Sequence, residues 1–119
     1  MIKIRGIVIN GRHLGHKLGF PTANIAIDQS IELPNGVYRS SVKLGSATYR
    51  AVSNLGTRPS VGGIQRNLET HIIDFDKDIY GQDICVELHE KLRNEQHFAT
   101  IEELIEQVNQ DIEQVKNYK

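Results

Sequence analysis

Residues 36–55 read GVYRSSVKLGSATYRAVSNL. Two β-rich runs, 36–44 and 47–55, flank Gly45-Ser46, and that two-residue spacing suits a β-hairpin with glycine at the first turn position. This is the best local hairpin signal in the chain, and it predicts antiparallel pairing at its centre.

Working outward, residues 2–9 alternate and are rich in Ile and Val, which predicts a strand, and glycines then mark 10–20 as a loop. TANIAI, 22–27, is a second strand, entered at Pro21 where no ladder donor is needed. DQSIELPNG follows as a loop. Beyond the hairpin, GTRPSVGGIQRN (56–67) reads as a long glycine-rich loop and a candidate flap. LETHIIDF (68–75) and DICVELHEKL (83–92) are strands joined by the acidic, glycine-containing DKDIYGQ.

The C-terminal stretch changes period. Ile101, Leu104, Ile105, Val108, Ile112, Val115 and Tyr118 recur at helical spacing, with a Thr100/Glu103 capping box at the start. Short strands plus one terminal helix, with no βαβ alternation, predict a mainly β, antiparallel barrel closed or plugged by the helix.

Composition narrows the function classes. The chain has 119 residues, room for a single domain over 1–119 with one core. Fourteen Lys and Arg against fifteen Asp and Glu leave a net charge of -1, so no global positive field draws in nucleic acid or an anionic membrane. A small-molecule partner fits better. The single cysteine, Cys85, excludes an internal disulfide framework and any multi-cysteine zinc site. The N-terminus alternates charged and apolar residues, unlike a signal peptide, and no apolar run approaches the ~20 residues of a membrane span. A cytoplasmic location is expected.

The chemistry-bearing residues begin at 15–25, GHKLGFPTANI. Alternation after Pro21 puts Thr22 and Asn24 on one side and Ala23 and Ile25 on the other. Hydroxyl and amide oxygens suit a hard cation such as Mg²⁺, which takes further ligands from waters and substrate phosphates. The preceding glycines let backbone N–H groups approach those phosphates, although no Walker A GK[ST] follows. The alternative is that Gly15 and Gly19 serve turn geometry while Thr22 and Asn24 cap a loop. In LETHIID, alternation places Leu68, Thr70 and Ile72 on one face and Glu69, His71 and Ile73 on the other, so Glu69 is either a general base or a solvated rim residue.

Other constellations carry less. The five histidines fall in no HExxH arrangement, no Gly-x-Ser-x-Gly elbow is present, and Asp74, Asp76 and Asp78 lack the glutamate an EF-hand requires.

Taken together, G-x-V-x-x-G-x-x-x-G-x-x-x-G-F-P-T-A-N (6–24), N-L-G-T-R-P-S (54–60), L-E-T-H-I-I-D-F (68–75), I-Y-G (79–81) and L-R-N-E-Q-H-F (92–98) resemble riboflavin kinase. The resemblance covers nearly the whole chain. It implies a six-stranded antiparallel Greek-key barrel with a C-terminal α-helix, and transfer of the γ-phosphoryl group of ATP to the riboflavin 5′-hydroxyl, giving FMN and ADP with a divalent cation, usually Mg²⁺. By this resemblance Thr22 and Asn24 hold the cation and nucleotide phosphates. Gly11, Gly15, His16, Ile72, Asp74 and Tyr80 stand at nucleotide-contacting positions. Glu69 matches the catalytic carboxylate, and Arg93, Gln96 and Phe98 match the flavin-contacting segment. The family domain is in many bacteria fused to an FAD synthetase (adenylyltransferase) domain, for which these residues leave no room.

Three positions depart from the family pattern: His16 where arginine is frequent, Asn94 where proline is frequent, and His13-Leu14 where the loop is commonly more glycine-rich or basic. A histidine is mostly neutral near pH 7, which weakens phosphate attraction. The changes at His16 and Asn94 motivate a second reading behind the kinase one, a non-catalytic flavin- or nucleotide-binding regulatory module.

Overall fold

The structure, a computed structural model, describes residues 2–9, 19–60 and 63–118. Six strands, β1 (Ile2–Ile9), β2 (Ala23–Ala26), β3 (Gly36–Leu44), β4 (Ala47–Ser60), β5 (Gly63–Ile72) and β6 (Asp83–Arg93), precede one helix, α1 (Ile101–Lys116). The central hairpin pairs Gly36 with Leu55 through to Leu44 with Ala47. At its tip Gly45 adopts φ 61° and Ser46 stays out of the left-handed region. That combination is a type II′ turn, whose twist matches the flanking strands.

The strand order β1-β2-β5-β4-β3-β6 closes on itself, every ladder antiparallel. Strands β3, β4 and β5 follow one another as neighbours and β6 returns beside β3, which is a Greek key. Closure comes from the β1–β6 ladder, from Ile2↔Leu88 to Ile7↔Asp83. The helix therefore does not close or plug the barrel, a correction to the sequence reading. It lies outside, on β4, where Arg50 Nη1 donates to the carbonyls of Val115 at 3.2 Å and Lys116 at 2.6 Å. The reason is space: the interior is filled by Ile4, Val8, Ile25, Val42, Leu55, Leu68, Val86 and Leu88, and a helix ~10 Å across cannot join them in so narrow a barrel.

Polar groups also occupy that interior. Ser40 Oγ, Ser53 Oγ and Thr70 Oγ1 form a buried chain at 2.7 and 2.8 Å, each hydroxyl satisfying the next. Unpaired, each would cost roughly 1–3 kcal/mol to bury. Residues 28–35 pack on the core through Ile31 and Leu33 and are tied down by Arg66, whose guanidinium donates to the carbonyls of those two residues and to Asn35 Oδ1. Tyr38 donates its hydroxyl to the Pro34 carbonyl at 2.6 Å, and burial raises its pKa although Arg66 pulls the other way.

The segment 56–67 is mostly paired strand rather than a loop. Register runs unbroken from Leu55↔Leu68 to Ser60↔Gly63, so the glycine-rich candidate flap is the outer half of a long β4–β5 hairpin. The sequence conceals this because the ribbon extends past the core: Thr57 and Gln65 are exposed and Ile64 is 74% exposed, so no polar/apolar alternation is imposed. The helix start agrees with expectation. Thr100 Oγ1 accepts from Glu103 N–H at 3.2 Å, while Glu103 Oε2 accepts from Ala99 N–H at 3.2 Å, one residue earlier than in the usual box.

Candidate active site

On β5 the interior takes Leu68, Thr70 and Ile72, so Asn67, Glu69 and His71 project outward. On β2 Ala23 and Ile25 belong to the core, leaving Asn24 on the outer side. On β4 Ala51, Ser53 and Leu55 point inward and Asn54 outward. Cross-strand pairing then sets Asn24 opposite Glu69, Glu69 opposite Asn54, Asn54 opposite Val37 and Val37 opposite Arg93. One ladder row on the outer wall thus runs from Asn24 through the candidate base Glu69 to Arg93, with ~4.8 Å between neighbouring strands.

Asn24 is 3% exposed, and Thr22 stands immediately before β2 with its Oγ1 buried and without a hydrogen-bond partner. A buried hydroxyl oxygen in that state favours a ligand able to bond it. Thr22 and Asn24 offer hard neutral oxygens beside the Glu69 carboxylate, a donor set that fits a divalent cation sharing its shell with water and phosphate oxygens. Among the described residues no cluster of three His, Cys, Asp or Glu side chains could hold a metal ion.

His71 joins the two halves. The β2–β5 ladder ends at Ala23↔Thr70, and two residues before Ala23 the chain has Pro21, with no N–H to give. The imidazole takes over: Nδ1 lies 2.9 Å from the Pro21 carbonyl oxygen. A carbonyl only accepts, so Nδ1 carries the proton. Phe20 packs edge-on against the same ring at 6.1 Å between centroids. The residues leading into Thr22 are thereby fixed to the strand that carries Glu69.

The 92–98 segment is anchored from the other side. Arg93 binds the Asp111 carboxylate through Nε at 3.0 Å and Nη2 at 2.8 Å, and Gln107 Nε2 donates to the same carboxylate at 3.0 Å. Its remaining Nη1 donates to the Asn94 carbonyl at 3.2 Å and Gln96 Oε1 at 3.4 Å, and the guanidinium carbon lies 6.0 Å from the Phe98 ring centre. The structure thus brings Arg93, Gln96 and Phe98 together, with the arginine spent largely on holding the loop to α1.

The remaining positions differ in standing. Ile72 has its side chain in the barrel core, so any nucleotide contact there goes through its main chain. Asp74 follows β5 at φ 57°, the only described non-glycine residue at positive φ, and faces Lys116 Nζ at 3.7 Å. Tyr80 is 63% exposed, on the turn where Gly81 N–H donates to the Val8 carbonyl at 2.9 Å. Gly11, Gly15 and His16 lie outside the described residues, as does the departure at His13-Leu14.

Two partners escaped the sequence reading. Asp111 is 3% exposed on the buried stripe of α1, three residues after Val108 and four before Val115, and a carboxylate at that spacing was the available signal. Asn54 was read as part of a strand and of the 54–60 motif, with no role of its own, and its link to Glu69 exists only in the cross-strand register.

A family model described as Flavokinase, riboflavin kinase, matches residues 1–119. The chain belongs to the riboflavin kinase family. Among curated relatives in that family, the bifunctional riboflavin kinase/FMN adenylyltransferase of Escherichia coli strain K12 is 44% identical over 109 residues, 91% of this chain and 35% of that protein. The protein of the same description from Haemophilus influenzae is 40% identical over 117 residues, 98% of this chain and 38% of that protein. The chain therefore spans little more than a third of the length of these relatives. The crystal structure of a riboflavin kinase from Trypanosoma brucei has the same fold, at a TM-score of 0.67 and 20% identity over 97% of this chain and 77% of that one. A Streptococcus pneumoniae crystal structure described as a macrolide-efflux protein matches at a TM-score of 0.89 and 30% identity, over 98% of this chain and 39% of that one. Among the described residues no helix is long and apolar enough to cross a membrane.

Proposed function

We propose that this chain phosphorylates the 5′-hydroxyl of riboflavin with ATP, giving FMN and ADP. The observation that carries the reading is the Asn24–Glu69 pair across β2 and β5, in a chain matched end to end by the riboflavin kinase family. In this reading Thr22 and Asn24 hold a divalent cation, Mg²⁺ for preference, together with the nucleotide phosphates. When bound, the cation neutralises charge on the phosphate oxygens and helps align them.

Glu69 accepts the 5′-hydroxyl proton as that oxygen bonds to the γ-phosphorus and the bond to the ADP oxygen breaks. Most of the work asked of the protein is alignment and charge stabilisation, with proton removal a smaller part. Gly11, Gly15, His16, Ile72, Asp74 and Tyr80 surround the nucleotide in this scheme. The Arg93 loop, with Gln96 and Phe98, receives the isoalloxazine ring, the phenylalanine by stacking and Gln96 by hydrogen bonds to its polar edge. The relatives' length is consistent with an adenylyltransferase domain in the same native protein.

The test is direct: incubate the folded chain with riboflavin, ATP and Mg²⁺ and follow FMN by chromatography. Formation of FMN is expected. Tight flavin binding without turnover would replace this reading by the regulatory one, and neither binding nor turnover would remove both.

A further inference from the structure

Three buried side-chain oxygens without a hydrogen-bond partner, Thr22 Oγ1, Asn54 Oδ1 and Asn67 Oδ1, lie on or beside the outer wall around Glu69. Thr22 leads into the cation segment. Asn54 and Asn67 do not belong to it: Asn54 faces Glu69 from β4, and Asn67 precedes Glu69 by two residues on the same outer side of β5. Across from Asn67 stand two small residues, Ala26 and Gly56. Nothing in the fold explains two orphaned amide oxygens beside a carboxylate, since burial of an unpaired acceptor is unfavourable.

The chemistry of the missing partner follows from what these atoms can do. Amide oxygens accept hydrogen bonds or ligate cations; with the cation given to Thr22 and Asn24 in the kinase reading, the partner left for these two is a hydrogen-bond donor. Phosphate oxygens are acceptors and cannot satisfy the two asparagines. A chain of hydroxyl groups can, because each hydroxyl has a proton to give. Placement agrees: Asn54 is one strand from Glu69, where the reacting hydroxyl would sit, and two strands from Arg93, where the ring would lie.

We propose that Asn54 and Asn67 form a subsite that reads the hydroxyls of the acceptor's polyol chain and so sets specificity for it. The inference rests on the kinase reading above. The polyol chain lies along β4 and β5 with its terminal hydroxyl at Glu69 and its secondary hydroxyls donating to the two amide oxygens. Losing one such hydrogen bond in a largely buried site lowers kcat/KM by about tenfold or more.

The experiment compares riboflavin with analogues lacking the 2′-, 3′- or 4′-hydroxyl, on the wild type, Asn54→Ala and Asn67→Ala, reading FMN-type product and, separately, binding by quenching of flavin fluorescence. The wild type should disfavour at least one deoxy analogue by about tenfold, and one alanine variant should lose that discrimination while its ADP affinity is unchanged. Equal use of all analogues by the wild type would overturn the inference without any variant. So would alanine variants that fold, by melting temperature, and keep the full discrimination. A wild type that makes no FMN at all would instead defeat the kinase reading, a distinguishable failure.

Discussion

At the scale of single residues, Glu69 and His71 do different work two positions apart on the same outer side of β5. Glu69→Gln keeps the shape and the hydrogen-bonding oxygen but cannot take a proton. Turnover should fall by about 10²-fold or more, the usual worth of a positioned base, while ADP affinity changes little. Single-turnover rates and ADP titration check this, and full activity in the variant would remove Glu69 as the base. His71 acts through Pro21: its Nδ1 donates to the carbonyl at 2.9 Å, one residue before Thr22. Asparagine can place an N–H at the Nδ1 position, whereas leucine cannot. His71→Leu should therefore raise the Mg²⁺ concentration for half-maximal rate by about tenfold, since small misplacements of ligating groups are costly. His71→Asn should restore it to within about threefold. Equal behaviour of the two variants would show that the imidazole merely fills space. The Thr22/Asn24 pattern was legible in the sequence because strand alternation is local. The His71 bond was not, because it links residues fifty positions apart.

At the scale of elements, α1 is held by few but specific contacts. Its most buried positions are Asp111 and Val115, and Asp111 meets Arg93 across a two-pronged ion pair with side chains 4% and 20% exposed. Removing one partner of such a pair leaves the other poorly compensated, at about 3 kcal/mol. Asp111→Ala should lower the melting temperature by roughly 10 °C. It should also weaken riboflavin binding while ADP binding persists, because the Arg93 loop loses its anchor to the helix. Loss of both affinities in parallel would mean general unfolding instead. A further contact joins α1's end to β3: Arg39 lies 3.7 Å over the Tyr118 ring and bonds Glu90 Oε1 at 2.6 Å. Burial pushes the Glu90 carboxyl up, but its own backbone N–H, Arg39 and Tyr118 together outweigh this and lower it. The helix itself was readable from its period and cap. Its resting place was not, since an apolar stripe says that a helix packs and leaves open what it packs against. The same limit explains the misread 56–67 ribbon, where strands without a covering layer carry no alternation.

At the scale of the whole molecule, the barrel has no free edge, so each interior position must fit the strand opposite it and those beyond. Strand number and antiparallel sense followed from hairpin and turn signals. The order β1-β2-β5-β4-β3-β6 did not, because non-neighbouring pairings such as β2–β5 depend on which faces fit rather than on any local pattern. Gly6 shows how tight that fit is. It occupies an inward-facing site on β1, between the interior residues Ile4 and Val8, and a Cβ built there would stand 2.2 Å from Ile25 Cγ2 on β2. The first glycine of the motif shared with riboflavin kinases thus has a packing reason in this chain. Ile25 is fully buried and cannot swing to solvent, so relief must come from strand movement. The strand that would move is β1, which pairs both with β2 at Ile9↔Asn24 and with β6, the closing ladder of the barrel. Gly6→Ala should cost about 1–3 kcal/mol, lowering the melting temperature by roughly 5–10 °C. Because the displaced ladder also carries Asn24, the variant should need more Mg²⁺ for half-maximal rate at temperatures where it remains fully folded. Pairing it with Ile25→Ala, which removes the Cγ2 atom that the new Cβ would meet, should cost less stability than the sum of the two single variants. Strictly additive losses in the double variant would show that the Ile25 contact is not the source of the strain.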